Sequence, residues 1–159
     1  MTIIKVFTDG SVNTKSKVGF GAYLALKDDQ RSLNDLKAEV KVKRFEKTSS
    51  TKLELQTLLW ALSDIKTENC KIVLYTDSQN IIGLPGRRER LEKNDYYSSK
   101  NKRLNNFELY QEFYRVSDQL DCELVKVKGH MASKQKNRIE TIFTLVDRAS
   151  RNAQREAGK

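Results

Sequence analysis

One proline, seven glycines, two cysteines, one histidine and one tryptophan are spread over 159 residues. So little proline and glycine excludes a collagen-like or linker-rich chain. Cys70 and Cys122 allow one bridge at most, so no disulfide framework holds the fold. One histidine and two distant cysteines do not make a zinc ligand set, and no zinc is expected. No apolar run approaches the roughly 18 residues of a membrane span, and no membrane partner is expected. The first apolar stretch is only Ile3-Ile4, with Asp9 close behind, which does not fit a signal peptide. A cytoplasmic protein with reduced cysteines is the expectation. Met1 directly before the first strand and a short tail after the last helix suggest a stand-alone domain, and no long apolar stripe is left over, so a monomer is expected.

What is present is positive charge. Lys and Arg number 30 against 21 Asp and Glu, giving +9. A surface of that sign attracts polyanions, nucleic acid first among them. Six Phe, six Tyr and many Leu, Ile and Val argue for a packed core and against disorder.

The hydrophobic period changes along the chain. Residues 3–8, 20–27 and 38–46 read as three strands in a row, an antiparallel meander. Leu55, Leu58, Leu59, Leu62 and Ile65 then follow helical spacing, with N-cap candidates at Ser49, Ser50 and Thr51, so a helix is predicted over 51–66. Residues 71–76 read as a fourth strand, followed by a short helix from Ser78 to Leu84 that Pro85-Gly86 stops. Residues 87–106 look polar and irregular. A helix over 107–120, a fifth strand over 122–128, a basic loop over 129–138 and a last helix over 139–156 complete the order. Long crossovers let strands one, four and five run parallel.

Four carboxylates stand at informative places. Asp9 and Asp77 end two of the parallel strands, and ligands collect outside the carboxyl ends of such strands. Glu54 lies in the first turn of the helix between them, and Asp147 in the last helix. Carboxylates brought together repel unless cations neutralise them, and hard oxygen donors suit Mg²⁺ or Mn²⁺. Each acid also has a plainer reading. Asp9-Gly10 is a common turn pair. Glu54 closes a capping box from Thr51. Asp77 caps the helix after it, and Asp147 pairs with Arg151. His130 follows Gly129 in a loop rich in Lys and Arg, where it can shuttle a proton or sit idle at the surface.

The blocks FTDGS (7–11), TKLELQTLLWAL (51–62), LYTDSQ (74–79), VKGH (127–130) and DRASRNA (147–153) resemble type 1 ribonuclease H, in that family's order and over nearly the whole chain. The resemblance implies an α/β, ribonuclease H-like fold: a five-stranded mixed sheet, three antiparallel strands plus two parallel, flanked by helices. One such domain would cover residues 1–159, with 85–106 a basic surface insertion and 129–138 a basic, histidine-containing loop. The implied activity is endonucleolytic hydrolysis of the RNA strand of an RNA–DNA hybrid, leaving 5′-phosphate and 3′-hydroxyl ends. Two Mg²⁺ ions per site would serve, with Mn²⁺ as the alternative.

By that resemblance Asp9, Glu54, Asp77 and Asp147 hold the metal, and His130 assists catalysis. Gly10, Ser11, Gln79 and Asn106 would touch the hybrid. Ser50 and Thr51 stand where many members carry asparagine, and their hydroxyls have shorter reach. Residues 87–104 occupy the place of the family's basic protrusion, with seven cations and three anions. Arg87, Arg88 and Arg90 are its leading candidates for nucleic-acid contact, although the tryptophans common there are absent. The first hairpin lacks the family's glycines. Two other readings share the fold: a binding module without turnover, and a superfamily nuclease with another nucleic-acid substrate.

Overall fold

The computed structural model describes residues 2–27, 31–128 and 137–158. Its elements in chain order are β1 (Thr2–Asn13), β2 (Val18–Leu26), α1 (Leu33–Glu39), β3 (Lys41–Phe45), α2 (Ser50–Asp64) and β4 (Cys70–Thr76). These are followed by α3 (Gln79–Ile82), α4 (Leu84–Lys93), α5 (Phe107–Gln119), β5 (Asp121–Lys126) and α6 (Arg138–Ala157). The strands form one sheet in the order β3-β2-β1-β4-β5. The β1–β2 and β2–β3 pairs are antiparallel, and the β1–β4 and β4–β5 pairs are parallel. This is the mixed five-stranded sheet that the sequence implies.

Side-chain alternation sends the sheet's apolar residues to two cores. On one face Ile4, Val6, Ile72 and Leu74 pack against Leu55, Leu58 and Leu62 of α2 and Tyr110, Phe113 and Tyr114 of α5. On the other, Phe7, Ala22 and Leu24 meet Leu36 of α1 and Ile142, Phe143 and Val146 of α6. Because residues 7 and 9 share a side, Asp9 follows Phe7 toward α6.

Several boundaries differ from expectation, each for a local reason. The first strand does not end at Asp9-Gly10-Ser11. It stays paired with β2 as far as Asn13↔Val18. The turn comes later, where the Asn13 side chain accepts from the Lys15 and Ser16 amides (2.9 and 3.1 Å) and Lys17 takes φ of 59°. The expected third strand over 38–46 shortens to Lys41–Phe45, because α1 occupies the residues before it. Its signal was Ser32, whose hydroxyl accepts from the Asp35 amide at 3.2 Å, a cap overlooked between two strands. Pro85 does not stop a helix. It sits in the first turn of α4, where a missing N–H costs nothing. Residues 84–93 are therefore helical, and Leu84, Leu91 and Tyr96 are buried, so the segment read as a surface insertion contributes to the core.

α2 lies unusually close to the sheet. A Cβ on Gly21 would fall 2.1 Å from Thr57 Oγ1, and one on Gly10 would fall 2.8 Å from Leu53 Cδ2. Only glycine admits that approach, which sets the depth of α2 and hence of Glu54. Gly21→Ala is expected to lower stability by roughly 1–3 kcal/mol, the usual cost of overpacking, and to reduce activity by displacing α2. Thermal melting and a rate measurement on the same sample check both effects. No helix among the described residues is long and apolar enough to cross a membrane.

Candidate active site

The register of the parallel strands brings two acids together. The β1–β4 pairs run from Thr2↔Cys70 to Phe7↔Tyr75. The same offset carried two residues further sets Asp9 level with Asp77. Asp9 is thus inside β1 but just past its parallel part, at the carboxyl end where ligands gather. Asp9, Glu54 and Asp77 line one depression, with Thr8, Thr57 and Thr76 around them. Asp147, from α6, shares a hydrogen bond with Asp9. Three elements, β1, α2 and α6, and the turn after β4 therefore deliver the four carboxyl groups to this region.

The plainer readings of three acids do not fit. β1 passes straight through Asp9-Gly10, so no turn needs them. The N-cap of α2 is Ser49, which accepts from the Lys52 amide, so Thr51 and Glu54 form no capping box. The N-cap of α3 is Ser78, accepting from the Ile81 amide at 3.2 Å, so Asp77 is not the cap. The pairing of Asp147 with Arg151 is present, with Arg151 Nε donating to Oδ1 at 3.0 Å. It leaves Asp147 able to meet Asp9 as well.

The electrostatics are those of crowded acids. Burial, and next the Asp77 charge, push the Asp9 carboxyl from its ordinary 3.8 up to about 9. The neighbouring Asp147 side chain adds to this, and the Gly10 amide opposes it. Glu54 is also raised, first by burial and then by Asp77, while a hydrogen bond from the Ser78 hydroxyl pulls it down. Ser78 therefore serves twice, capping α3 and holding Glu54. The sequence reading missed it, although its place directly after Asp77 was the available signal.

All four groups are hard oxygen donors, and Arg151 offsets part of the charge on Asp147. That donor set fits divalent cations of the Mg²⁺ class. Among the described residues no three His, Cys, Asp or Glu side chains, as they stand, are grouped closely enough to hold a metal ion.

The remaining candidates are placed as follows. Gly10 stands opposite Gly21, and Ser11 opposite Phe20. Ser50 and Thr51 open α2, and Ser50 is exposed. Gln79 opens α3, its side-chain oxygen accepting from Lys126 Nζ at 2.7 Å. Asn106 precedes α5 without capping it through its side chain. Arg87 donates to the backbone and side-chain oxygens of Asn80 (2.9 and 2.7 Å). Arg88 grips Asp118 with both terminal nitrogens, reaches Glu92 at 3.1 Å and stacks on Tyr114. Arg90 lines a cleft of about 670 Å³ with Asn94, Tyr97, Ser98 and Asn101. His130 lies outside the described residues.

The chain is similar to several known proteins. A ribonuclease H from Acetivibrio thermocellus is 29% identical over 147 residues, covering 91% of this chain and 94% of that protein. A ribonuclease H from Moorella thermoacetica is 26% identical, covering 89% and 90%. Among solved structures, LC9-RNase H1, described as a type 1 RNase H with the type 2 active-site motif, superposes with a TM-score of 0.67 at 17% identity. The match covers 96% of this chain and 72% of that one, a likeness of fold. The family model for RNase H matches residues 1–153, so the chain belongs to the RNase H family.

Proposed function

We propose that this chain is a ribonuclease H that hydrolyses the RNA strand of RNA–DNA hybrids as an endonuclease, leaving 5′-phosphate and 3′-hydroxyl ends. Family membership over residues 1–153 supports the activity. The observation that carries the site is the convergence of Asp9, Glu54 and Asp77 on one depression with Asp147 against Asp9, acids that resist ionising together without a cation.

Asp9, Glu54, Asp77 and Asp147 are the residues that would hold two Mg²⁺ ions, or Mn²⁺ in their place. Ions held there would supply the activation of a water and the stabilisation of charge on the scissile phosphate. Asp9 is influenced by both Asp77 and Asp147, which supports a central role for it in holding the ions. Ser78 orients Glu54. Arg151 orients Asp147. His130 is assigned the relay of a proton or release of product.

Recognition of the hybrid rests on shape, 2′-hydroxyls and phosphates rather than on base edges. Gly10, Ser11, Ser50, Thr51, Gln79 and Asn106 supply nearby backbone and side-chain polar groups. In the basic segment the roles divide. Arg90 faces an open cleft and is the direct phosphate contact. Arg87 and Arg88 hold α4 against Asn80 and Asp118, so their effect on binding runs partly through the position of that helix. Arg90→Ala is expected to lower hybrid affinity and reduce the salt slope of binding by about one. Anisotropy titrations at several KCl concentrations read that change.

The test is a labelled hybrid run beside double-stranded RNA, double-stranded DNA and single-stranded RNA, with Mg²⁺ and with EDTA. Cuts in the hybrid's RNA strand alone, lost with EDTA, support the proposal. Tight hybrid binding without cuts under Mg²⁺ or Mn²⁺ would instead establish a binding module. Cuts in another substrate would establish a different nuclease.

A further inference from the structure

α2 carries a second polar side chain toward the carboxylates, one turn after Glu54. Thr57 stands three residues on, and helix periodicity puts such residues on the same side. Thr57 lines the same depression as Asp9, Glu54 and Asp77. Its side chain lies over Gly21, the glycine that lets α2 approach the sheet, and the residue is only 1% exposed. Among the described residues its hydroxyl oxygen has no hydrogen-bond partner.

The other hydroxyls behave differently. A helical threonine can donate to the carbonyl four residues back. Thr141 does so to Asn137 at 2.9 Å, and the Thr144 hydroxyl to Glu140 at 3.0 Å. Of the hydroxyls buried in the core, Thr48 donates to Gln56 Oε1 at 2.7 Å, Thr76 accepts from the Ser78 amide at 3.1 Å, and Ser150 donates to the Asp147 carbonyl at 2.9 Å. Among the described residues Thr57 Oγ1 is the one buried hydroxyl oxygen left unpaired. An unpaired buried hydroxyl costs stability, and an apolar group of the same shape would remove that cost. The depression itself points to a partner. Its volume is about 10 Å³, roughly the room of one water molecule. Thr8, Glu54, Thr57, Thr76 and Asp77 line it with the polar atoms that a buried water needs.

We propose that Thr57 is a positioning residue for Glu54: its hydroxyl donates to a single water, and that water donates to the Glu54 carboxylate. Ser78 holds the carboxylate directly through its own hydroxyl. Thr57 holds it from the same helix through the water, a bridge nearly as good as a direct hydrogen bond. Glu54 is then fixed from two sides in the orientation from which it holds a cation. The inference rests on the cation site proposed above and adds a residue to its support.

The experiment titrates Mg²⁺ calorimetrically into wild type, Thr57→Val and Thr57→Ser without nucleic acid, and records a melting curve of each in EDTA. Valine keeps the shape of threonine without the hydroxyl, and serine keeps the hydroxyl without the methyl. Thr57→Val should bind Mg²⁺ about tenfold more weakly, the scale of losing a group that orients a metal ligand. It should melt no higher than wild type, because it gives up a bonded hydroxyl. Thr57→Ser should keep an Mg²⁺ affinity near that of wild type, even where the lost methyl lowers its melting point. A purely structural role would move the melting points without this split in affinity. Wild-type Mg²⁺ affinity in Thr57→Val overturns the proposal, and so does an equal loss in Thr57→Ser. A higher melting point in Thr57→Val also overturns it, since the hydroxyl was then unpaired. If Thr57→Val does not fold, Thr57→Ala removes the same hydroxyl with less bulk and is judged in the same way. A wild type without a saturable Mg²⁺ heat overturns the cation site itself, and Thr57 with it. A wild type that binds Mg²⁺, with Thr57→Val unchanged, overturns the role of Thr57 alone.

Discussion

Asp77→Asn should lower hybrid cleavage by about 10³-fold while leaving hybrid affinity near that of wild type. Asn keeps the size of Asp and one carbonyl oxygen but removes the charge a divalent ion needs. Metal stabilisation of the transferring phosphate is worth several kcal/mol, and each 1.36 kcal/mol is a factor of ten. Asp77 lies in the turn between β4 and the Ser78 cap, so the substitution spares both the strand ladder and the helix start. Steady-state cleavage with parallel anisotropy binding separates the outcomes. Loss of rate with retained binding is expected. Undiminished turnover would remove Asp77 from the metal set.

Asp9→Asn should make the metal-free protein more stable at neutral pH, by on the order of 1–4 kcal/mol, while abolishing activity. The direction follows from linkage. Asp9 is raised from 3.8 to about 9 in the fold by burial and by Asp77. Below about pH 4 both folded and unfolded chains carry the proton, and the folded state loses nothing. Above it, the unfolded chain ionises while the folded chain stays protonated, so stability drains away until the pH passes about 9. The slope can reach about 1.4 kcal/mol per pH unit for one proton. The Asn variant has no proton to lose, and its stability should be flatter over that window. Denaturant melts of both proteins in EDTA between pH 4 and 9 give the difference. A wild type that stays as stable as Asp9→Asn throughout would show that the acids are not crowded.

Much of this site was legible because strand ends and motifs coincide. Asp9 and Asp77 were placed by the two parallel strands, and the register then set them level. The apolar run over residues 3–8 located the first strand, and the helical spacing of Leu55, Leu58 and Leu62 located α2. Boundaries were missed where a signal has two meanings. Asp9-Gly10 is a turn pair in isolation, but cross-strand pairing to Asn13 overrides it. Pro85 reads as a stop, yet at a helix start it is harmless. α1 was hidden because its seven residues sit between strands and its cap, Ser32, resembles a loop serine. The roles of Arg87 and Arg88 were equally hidden, since their partners Asn80 and Asp118 meet them only through tertiary packing. A positive segment in sequence therefore overstates the charge left for a ligand.

The most direct measurement is a calorimetric titration of Mg²⁺ into the wild type and into Asp9→Asn at pH 7, without nucleic acid. The account predicts a saturable heat in the wild type, with a matching rise in melting temperature, and neither in Asp9→Asn. Identical isotherms for the two proteins would contradict a cation site built on Asp9, Glu54, Asp77 and Asp147.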